Sequence, residues 1–347
     1  MMTDQLMKAA VLDRPHSIHI KQVHIPTIKN DEVLVKVHCI GVCGSDIHYY
    51  NHGKIGRYVV KEPIILGHEL AGEIVEVGPL VSNVAVGDRV AIEPGVACGR
   101  CSFCKNGRYN LCPDVVFMAT PPVNGAWAEY IAIRSDFAFK IPDEMSFEEG
   151  ALLEPLSVGI HAMRRGKVGP EDSIFISGLG PIGLLTIEAA KIFGVTKIYT
   201  SDPIQYRREK ALEMGATAAF DPLETDIIEE IKMRNGKAAD VVIETSGNQH
   251  AISSAIKIAD RGGRVVLVGL PIVNDIVFDV PYIVDSEIDI SGVFRYANTY
   301  PIAIQHLQSS KSKIEKIITQ KFKLTEIKEA VEFARSEKGI KVMIYTN

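Results

Sequence analysis

"SIFISGLGPIGLLTIEAAKIFG", residues 173–194, decides the fold. It opens on a short apolar, β-branched run, the pattern of a strand buried on both faces. It closes on a segment in which Ile182, Leu185, Thr186, Ala189 and Phe193 recur at helical spacing. Between the two lies "GLGPIG", which sets Gly178, Gly180 and Gly183 in a G-x-G-x-x-G pattern. Glycine is common, and the pattern alone says little. Directly after a strand and at the opening of a helix it is the fingerprint of a dinucleotide site. Such a site needs a tight turn, a bare Cα where the diphosphate approaches, and a helix N-terminus whose free N–H groups bind an anion. Asp202 ends the following strand, 19 residues after Gly183. A carboxylate there accepts both adenosine ribose hydroxyls and repels a 2′-phosphate, which favours NAD over NADP. Arg207 and Arg208 follow closely and have the chemistry to meet a 2′-phosphate. Asp202 holds the discriminating position, so Arg207 is expected against the ribose.

The same alternation continues outward. "TKIYTS", "ATAAFD", "DVVIET" and "RVVLVGL" read as strands. Helical segments "QYRREKALEMG", "TDIIEEIKMRNG" and "NQHAISSAIKIADRGG" separate them. Strands alternating with helices imply βαβ units and a parallel sheet. Upstream the texture differs. "EVLVKVHCIGVC", "HELAGEIVEVG" and "GDRVAIEP" read as strands bounded by Gly, Asp or Pro, and no long helical period precedes about residue 150. The tail mixes "KIEKIITQKF", a helical "TEIKEAVEFARSEKG" and "IKVMIYTN". The fold class is therefore α/β: a doubly wound domain over 155–295, inserted into a mostly β domain formed by 1–154 and the return 296–347. A chain of 347 residues suits two domains better than one core.

The formal net charge of −5 argues against a nucleic-acid or anionic-membrane surface. No run of about 18 apolar residues reads as a membrane span. "MMTDQLMKAAVLD" lacks an apolar core flanked by basic residues, so it does not read as a secretory signal. The expected compartment is the cytoplasm, where disulfides are rare and clustered cysteines read first as metal ligands.

Four of the six cysteines fall in "CGRCSFCKNGRYNLC". Cys98, Cys101, Cys104 and Cys112 have the spacing C-x2-C-x2-C-x7-C, enough to close a tetrahedral zinc shell within a lobe over 95–114. A closed shell has no opening for substrate, so this zinc is structural. Disulfides are the compartment-disfavoured alternative. An iron–sulfur cluster would match Pro113 after Cys112 but not the seven-residue gap. A catalytic metal needs an open shell, so its ligands are sought elsewhere. Cys39 sits inside a strand and reads as a small buried apolar residue. Cys43, in "GVCGSD", is flanked by glycines where a side chain can reach a cleft. "LGHE" supplies His68 and Glu69, and "GALLEPLSVGIHA" supplies Glu154 in apolar surroundings. Taken singly, His68 also fits a core histidine and Glu154 a helix-capping acid. Together with a nucleotide fold downstream they point to catalytic zinc.

At these residues the chain resembles the zinc-dependent medium-chain dehydrogenase/reductase superfamily. The resemblance runs along essentially its whole length, through "GVCGSDIHYY", "LGHELAGEIVEVG", "GDRVAIEPG", the cysteine lobe, "GALLEPLSVGIHA", "GLGPIG" and "GVFRYANTYPIAI". Within that superfamily "GRYNLCPD", "MATPPVNGA" and "VFRYANTYP" are most similar to the polyol (sorbitol) dehydrogenases, the bacterial ones especially. The resemblance implies a GroES-like catalytic domain, a Rossmann NAD-binding domain and a homotetramer. It implies two zinc ions per chain, with Cys43, His68 and Glu69 as catalytic ligands and Glu154 on the metal or on its water. Tyr49, Glu154, Arg295 and Tyr296 are implied near substrate. Ile182, Val268, Gly269, Leu270, Val293, Phe294 and Arg295 are implied on the coenzyme, beside the three glycines, Asp202 and Arg207. Many alcohol dehydrogenases place a cysteine where Glu154 stands, and mammalian sorbitol dehydrogenases lack the four-cysteine lobe.

The expected activity is NAD-dependent oxidation of a secondary hydroxyl of a sorbitol- or xylitol-type sugar alcohol to a ketose. Ser45 and His48 are candidates for passing the proton to solvent, though capping or surface roles suit them equally. Two other readings stand beside it. One is a zinc dehydrogenase acting on threonine, 2,3-butanediol or a sugar acid. The other is a non-catalytic nucleotide-binding or structural protein that keeps the fold.

Overall fold

The computed structural model describes residues 5–273, 275–310 and 312–346. The chain forms two compact units. One takes the chain through Glu154 and everything from Tyr300 onward; the other is Pro155–Thr299. The first four residues of the N-terminal stretch and the last of "IKVMIYTN" lie outside the described residues.

The Pro155–Thr299 unit is built on the opening stretch. Strand β1 (Ser173–Ser177) is buried at every position. It is joined by β2 (Lys197–Ser201), β3 (Ala218–Phe220), β4 (Ala239–Glu244), β5 (Ala259–Leu267) and β6 (Asp289–Gly292). The sheet order is β3-β2-β1-β4-β5-β6, and every pairing is parallel. This is the doubly wound Rossmann order, with its switch point at β1. Phe175, Tyr199, Phe220, Val242 and Val265 pack into one core cluster. Each such side chain, fully buried, contributes on the order of 1.5–3 kcal/mol. One boundary departs from expectation. The helix read over "NQHAISSAIKIADRGG" ends at Ile258, and the ADRGG residues belong to β5. Parallel pairing of Ala239 with Ala259 draws the backbone into the sheet earlier than its glycines suggest.

In the other unit, Glu32–Gly41 is the central strand of a seven-stranded sheet. It pairs antiparallel with Glu69–Val77 along one side, and with Tyr130–Arg134 and Lys341–Tyr345 along the other. A three-stranded sheet runs Ser17–His24, Leu6–Arg14, Ile64–Ile65. This is the GroES-like, mostly β domain. Two registers matter for function: Gly41 lies opposite Glu69, and Met343 lies opposite Gly41.

Of the helices that were not legible as such, two carry site residues. Gly44–His52 is helical although no helical period is visible there. Its stability comes from its ends. The Asp46 carboxylate accepts the Cys43 N–H at 3.0 Å in a capping box, and Gly53, at φ 65°, closes the C-terminus in the left-handed region. The second, Phe147–Arg165, starts with a reciprocal Ser146–Glu149 box and carries Pro155 in its interior. Glu154 is therefore mid-helix, which removes its reading as a capping acid.

Candidate active site

The strand Glu32–Gly41 runs out into Cys43, and Cys43 begins the Gly44–His52 helix in extended conformation, φ −94° and ψ 155°. His68 and Glu69 arrive on the neighbouring chain segment, at the start of Glu69–Val77. Sheet register thus brings together residues 25 positions apart. One donor atom each from Cys43, His68 and Glu69 lies within 4.8 Å of the others. His68 and Glu69 are buried and Cys43 half-buried. Glu154 is 6% exposed and its charge acts on both His68 and Lys341, although it is not one of the three clustered donors.

Two residues that sequence reasoning missed organise this centre. Asp46 is fully buried; its Oδ2 accepts the Cys43 N–H and its Oδ1 accepts the Gly67 N–H, each at 3.0 Å. The same Oδ1 lies 3.7 Å from His68 Nδ1, a buried nitrogen with no hydrogen-bond partner. A carboxylate behind a histidine ligand orients the ring and raises its basicity. The signal available was "GVCGSD", with an acid three residues after the cysteine. Lys341, 1% exposed, donates to Glu69 Oε1 at 2.8 Å, to Oε2 at 2.6 Å and to the Val42 carbonyl at 3.1 Å. Nothing local in "GIKVMIYTN" marks it; the strand pairing delivers it.

The electrostatics fit a cation. Burial opposes charge on His68, yet Cys43, Asp46 and Glu154 together push its pKa up to about 10. Burial raises Asp46 above the usual carboxylate range. Several acidic groups thus lie near one another, with Lys341 and His68 to balance them among the described residues. A sulfur, a nitrogen and an oxygen donor with an orphaned buried imidazole nitrogen behind them match a zinc site that keeps a coordination position open. The residues present fit that metal.

The lobe cysteines also converge. The Sγ atoms of Cys98, Cys101, Cys104 and Cys112 lie within 4.8 Å of one another, and all are free thiols. Cys101 and Cys104 are 3.4 Å apart, and the N–H groups of Cys98 and Cys104 each donate to a neighbouring sulfur at 3.5 Å. Backbone N–H groups of Arg100 and Cys101 hold Cys98 down at about 6, while burial and Cys101 push Cys104 up to about 12. Four thiols this close cannot all ionise unless a cation balances them, and four thiolates suit a closed zinc shell. Tyr109 Oη ties the lobe to Glu93 at 2.7 Å, and burial raises Glu93 to about 7.

Along the Gly44–His52 helix, Tyr49 is buried, Ser45 half-buried and His48 exposed. Ser45 and His48 are three residues apart and so share a face.

The dinucleotide turn belongs to the other unit. Gly178 has φ 87° and no room for a Cβ against Ser246; a Cβ on Gly183 would stand 1.9 Å from the Gly178 carbonyl oxygen. Gly180, open on its Cβ side, precedes the helix Pro181–Ile192, with Pro181 at its favoured first position. Ile182 is half-buried in that first turn. Asp202 Oδ2 accepts the Leu179 N–H at 2.8 Å, and Oδ1 accepts the Ile204 N–H at 2.9 Å. The acid therefore also holds the turn. Arg207 lies 3.8 Å from the Asp202 carboxylate. Arg208 donates to the Asp202 and Pro203 carbonyls and to Asp221, which ties it into the scaffold. The N–H groups of Val268 and Gly269 both reach the Glu244 carbonyl, at 2.8 and 3.0 Å, which leaves Leu270 exposed. Val293 bonds back to Leu267 at 2.9 Å, the Arg295 guanidinium stacks 4.7 Å from the Phe294 ring, and Tyr296 is buried.

With this geometry described, comparison with known proteins is informative. Residues 29–143 match the family "Alcohol dehydrogenase GroES-like domain", and residues 181–309 match the family "Zinc-binding dehydrogenase". The chain is 51% identical to a sorbitol dehydrogenase of Bacillus subtilis over 346 residues, covering 99% of this chain and 98% of that one. It is 41% identical to the sorbitol dehydrogenase of Rattus norvegicus, covering 96% and 94%. Among solved structures it is similar to an oxidoreductase/dehydrogenase of unknown specificity from Escherichia coli. That likeness has a TM-score of 0.93 and 37% identity over 98% of this chain and 99% of that chain.

Proposed function

The chain belongs to the zinc-binding dehydrogenases with an alcohol dehydrogenase GroES-like domain, and from that premise we propose that it oxidises a secondary hydroxyl of a sugar alcohol of the sorbitol or xylitol type to a ketose, with NAD as hydride acceptor. The observation that carries this reading is the clustered Cys43–His68–Glu69 donor set, in a chain half identical to a sorbitol dehydrogenase. It also sets aside the non-catalytic reading, since a retained fold has no need of an orphaned ligand set.

Cys43, His68 and Glu69 would hold the catalytic zinc, with Glu154 beside it. Cys98, Cys101, Cys104 and Cys112 would hold a second, structural zinc. The catalytic metal supplies Lewis acidity that lowers the pKa of a bound hydroxyl, and the nicotinamide takes the hydride. The protein's share is placement and charge. Asp46 holds Cys43 and the Gly67–His68 segment in one frame. Lys341 neutralises Glu69, so the buried site carries less negative charge than its ligands alone would give it. Ser45 and His48, one half-buried and the other exposed on one helix face, are the proposed route for the hydroxyl proton to solvent. Tyr49, Arg295 and Tyr296 are the proposed partners of the remaining substrate hydroxyls. The helix N-terminus after Gly180 and the turn Val268-Gly269-Leu270 are the proposed coenzyme contacts, with Ile182, Val293 and Phe294 packing beside them. Free thiols suit a reducing compartment, and the cytoplasm is the proposed location.

The test is initial-rate oxidation of sorbitol, xylitol, ribitol, threonine and 2,3-butanediol with NAD and NADP. The sugar alcohols are expected to lead, and NAD to outperform NADP by at least about tenfold, or ~1.4 kcal/mol. Asp202→Ala should lower efficiency with both coenzymes, because the Leu179 bond is lost, and should also narrow their ratio. Threonine or butanediol as the leading substrate would overturn the polyol assignment. Equal NAD and NADP rates in the unmodified protein would overturn the role given to Asp202.

We further propose that the chain works as a homotetramer. On the helix Val280–Ser286, which packs on β5, and just before it, Val277, Val280 and Val284 are 81%, 60% and 68% exposed, and Ile290, on the edge strand β6, is 39% exposed. Exposed apolar side chains and an open sheet edge each mark interaction sites. A Val280→Glu, Val284→Glu double variant should sediment as a smaller species than the parent. Unchanged sedimentation would remove this surface from the assembly.

A further inference from the structure

The only tryptophan of the chain, Trp127, is fully buried, and its indole N–H has no hydrogen-bond partner. A buried donor without an acceptor costs stability. Its surroundings give the ring a specific task. It lies against Gly67, the residue before His68. A Cβ at Gly67 would stand 2.3 Å from Trp127 Cδ1 and 2.5 Å from Nε1. Gly67 itself has φ 84°, in the left-handed region that side chains rarely adopt. The two residues are complementary: the glycine makes room for the ring, and the ring covers the glycine.

The backbone completes the clamp. Gly125 N–H donates to the Ile65 carbonyl at 2.7 Å, Ala126 N–H to Gly67 at 2.7 Å, and Trp127 N–H to Leu66 at 2.8 Å. The Asn124 side chain accepts the Ile65 N–H at 3.0 Å. Segment 124–127 therefore runs along 65–67 as a strap, and the Ala10 N–H anchors it at the Trp127 carbonyl, 2.7 Å away. Asp46 also holds the Gly67 N–H. The segment that carries His68 is thus held by Asp46, by the strap and by the indole.

We infer that Trp127 is a positioning residue for His68: its ring, seated on Gly67, holds the left-handed turn that presents the imidazole to the Cys43 and Glu69 donors. The inference rests on the reading of those three residues as a metal centre. Loss of the ring lets the turn relax, and a zinc ligand that wanders releases its metal faster. Supporting groups behind metal ligands typically change affinity by about 10–100-fold.

The experiment uses zinc-loaded full-length protein, unmodified and as Trp127→Phe and Trp127→Ala, with dipicolinate as competing chelator. Zinc remaining on the protein is measured against time, and retention of the lobe zinc reports an intact fold. Trp127→Ala should lose catalytic zinc at least about tenfold faster than the parent, and Trp127→Phe should stay within about threefold of it. In Trp127→Ala kcat should fall while KM for NAD holds. A folded Trp127→Ala that keeps its lobe zinc and releases catalytic zinc at the parent rate overturns the proposal. Should that variant fail to fold, the unmodified protein still decides. Its emission comes from Trp127 alone, and stripping the catalytic zinc should shift or quench it. Emission indifferent to that zinc overturns the proposal too. A parent protein with no zinc sensitive to Cys43→Ser would sink the metal reading itself, a separate outcome visible before any Trp127 variant is made.

Discussion

Cys43→Ala is expected to abolish polyol oxidation, with turnover lower by at least about 10³-fold, while fold and NADH binding persist. The magnitude follows from what a Lewis acid contributes: several kcal/mol at the transition state, and each ~1.4 kcal/mol is tenfold in rate. Removing the only sulfur donor of an open three-residue set leaves two donors, one of which is already paired with Lys341. The contrasting variant is Cys104→Ser. That residue is one of four thiols in a lobe whose chemistry suits a closed shell. It should cost thermal stability or subunit association, because a structural zinc site contributes directly to folding, while protein that remains assembled keeps much of its turnover. Metal analysis should give two zinc ions per chain for the parent and one for each variant. A well-assembled Cys104→Ser protein as inactive as Cys43→Ala would show that the lobe takes part in the chemistry.

Lys341→Met is expected to destabilise the metal-free protein by about 3–5 kcal/mol. Lys341 and Glu69 are each 1% exposed, and the ammonium spans both carboxylate oxygens. Taking away one partner of a buried pair leaves the other as an uncompensated charge, which costs far more than the pair contributes. The methionine keeps most of the length of the side chain, so the loss is mainly electrostatic. On the proposed reading, zinc at Cys43 and His68 would supply a second cation to Glu69. The gap in melting temperature between zinc-loaded and zinc-stripped protein should therefore widen in Lys341→Met. Adding Glu69→Gln should recover most of the loss in the stripped protein, since the amide leaves no charge behind. If Lys341→Met melts within a degree of the parent in the absence of metal, the pair is not the buried, desolvated contact described above.

These two variants also mark where sequence reasoning reaches and where it stops. Lys341 could not have been picked from "GIKVMIYTN", where it is one of many lysines near the end of the chain. Cys43 could, because few residue types bind zinc and only two cysteines lay outside the lobe.

The order of strands and helices from Ser173 to Leu267, the glycines of the turn, Asp202 and the cysteine quartet were all legible as local patterns. Each depends on spacing within one or two elements. The same holds for Cys43, His68, Glu69 and Glu154 as chemistry, though not as a cluster. The Gly44–His52 helix was not legible, because its two caps, rather than an apolar period, stabilise it. A capping role for Glu154 stayed open in the sequence, since proline usually marks a segment end, yet the helix Phe147–Arg165 runs through Pro155. Asp46, Lys341 and Trp127 gained their roles only from tertiary structure. Their partners Gly67, Glu69 and Gly67 lie 21, 272 and 60 residues away. A strand pairing has to be in register before any of them can touch its partner. Local sequence carries the propensities and the ligand types. Which buried acid meets which buried cation is decided by the pairing of Gly41 with Glu69 and of Met343 with Gly41, a property of the folded sheet.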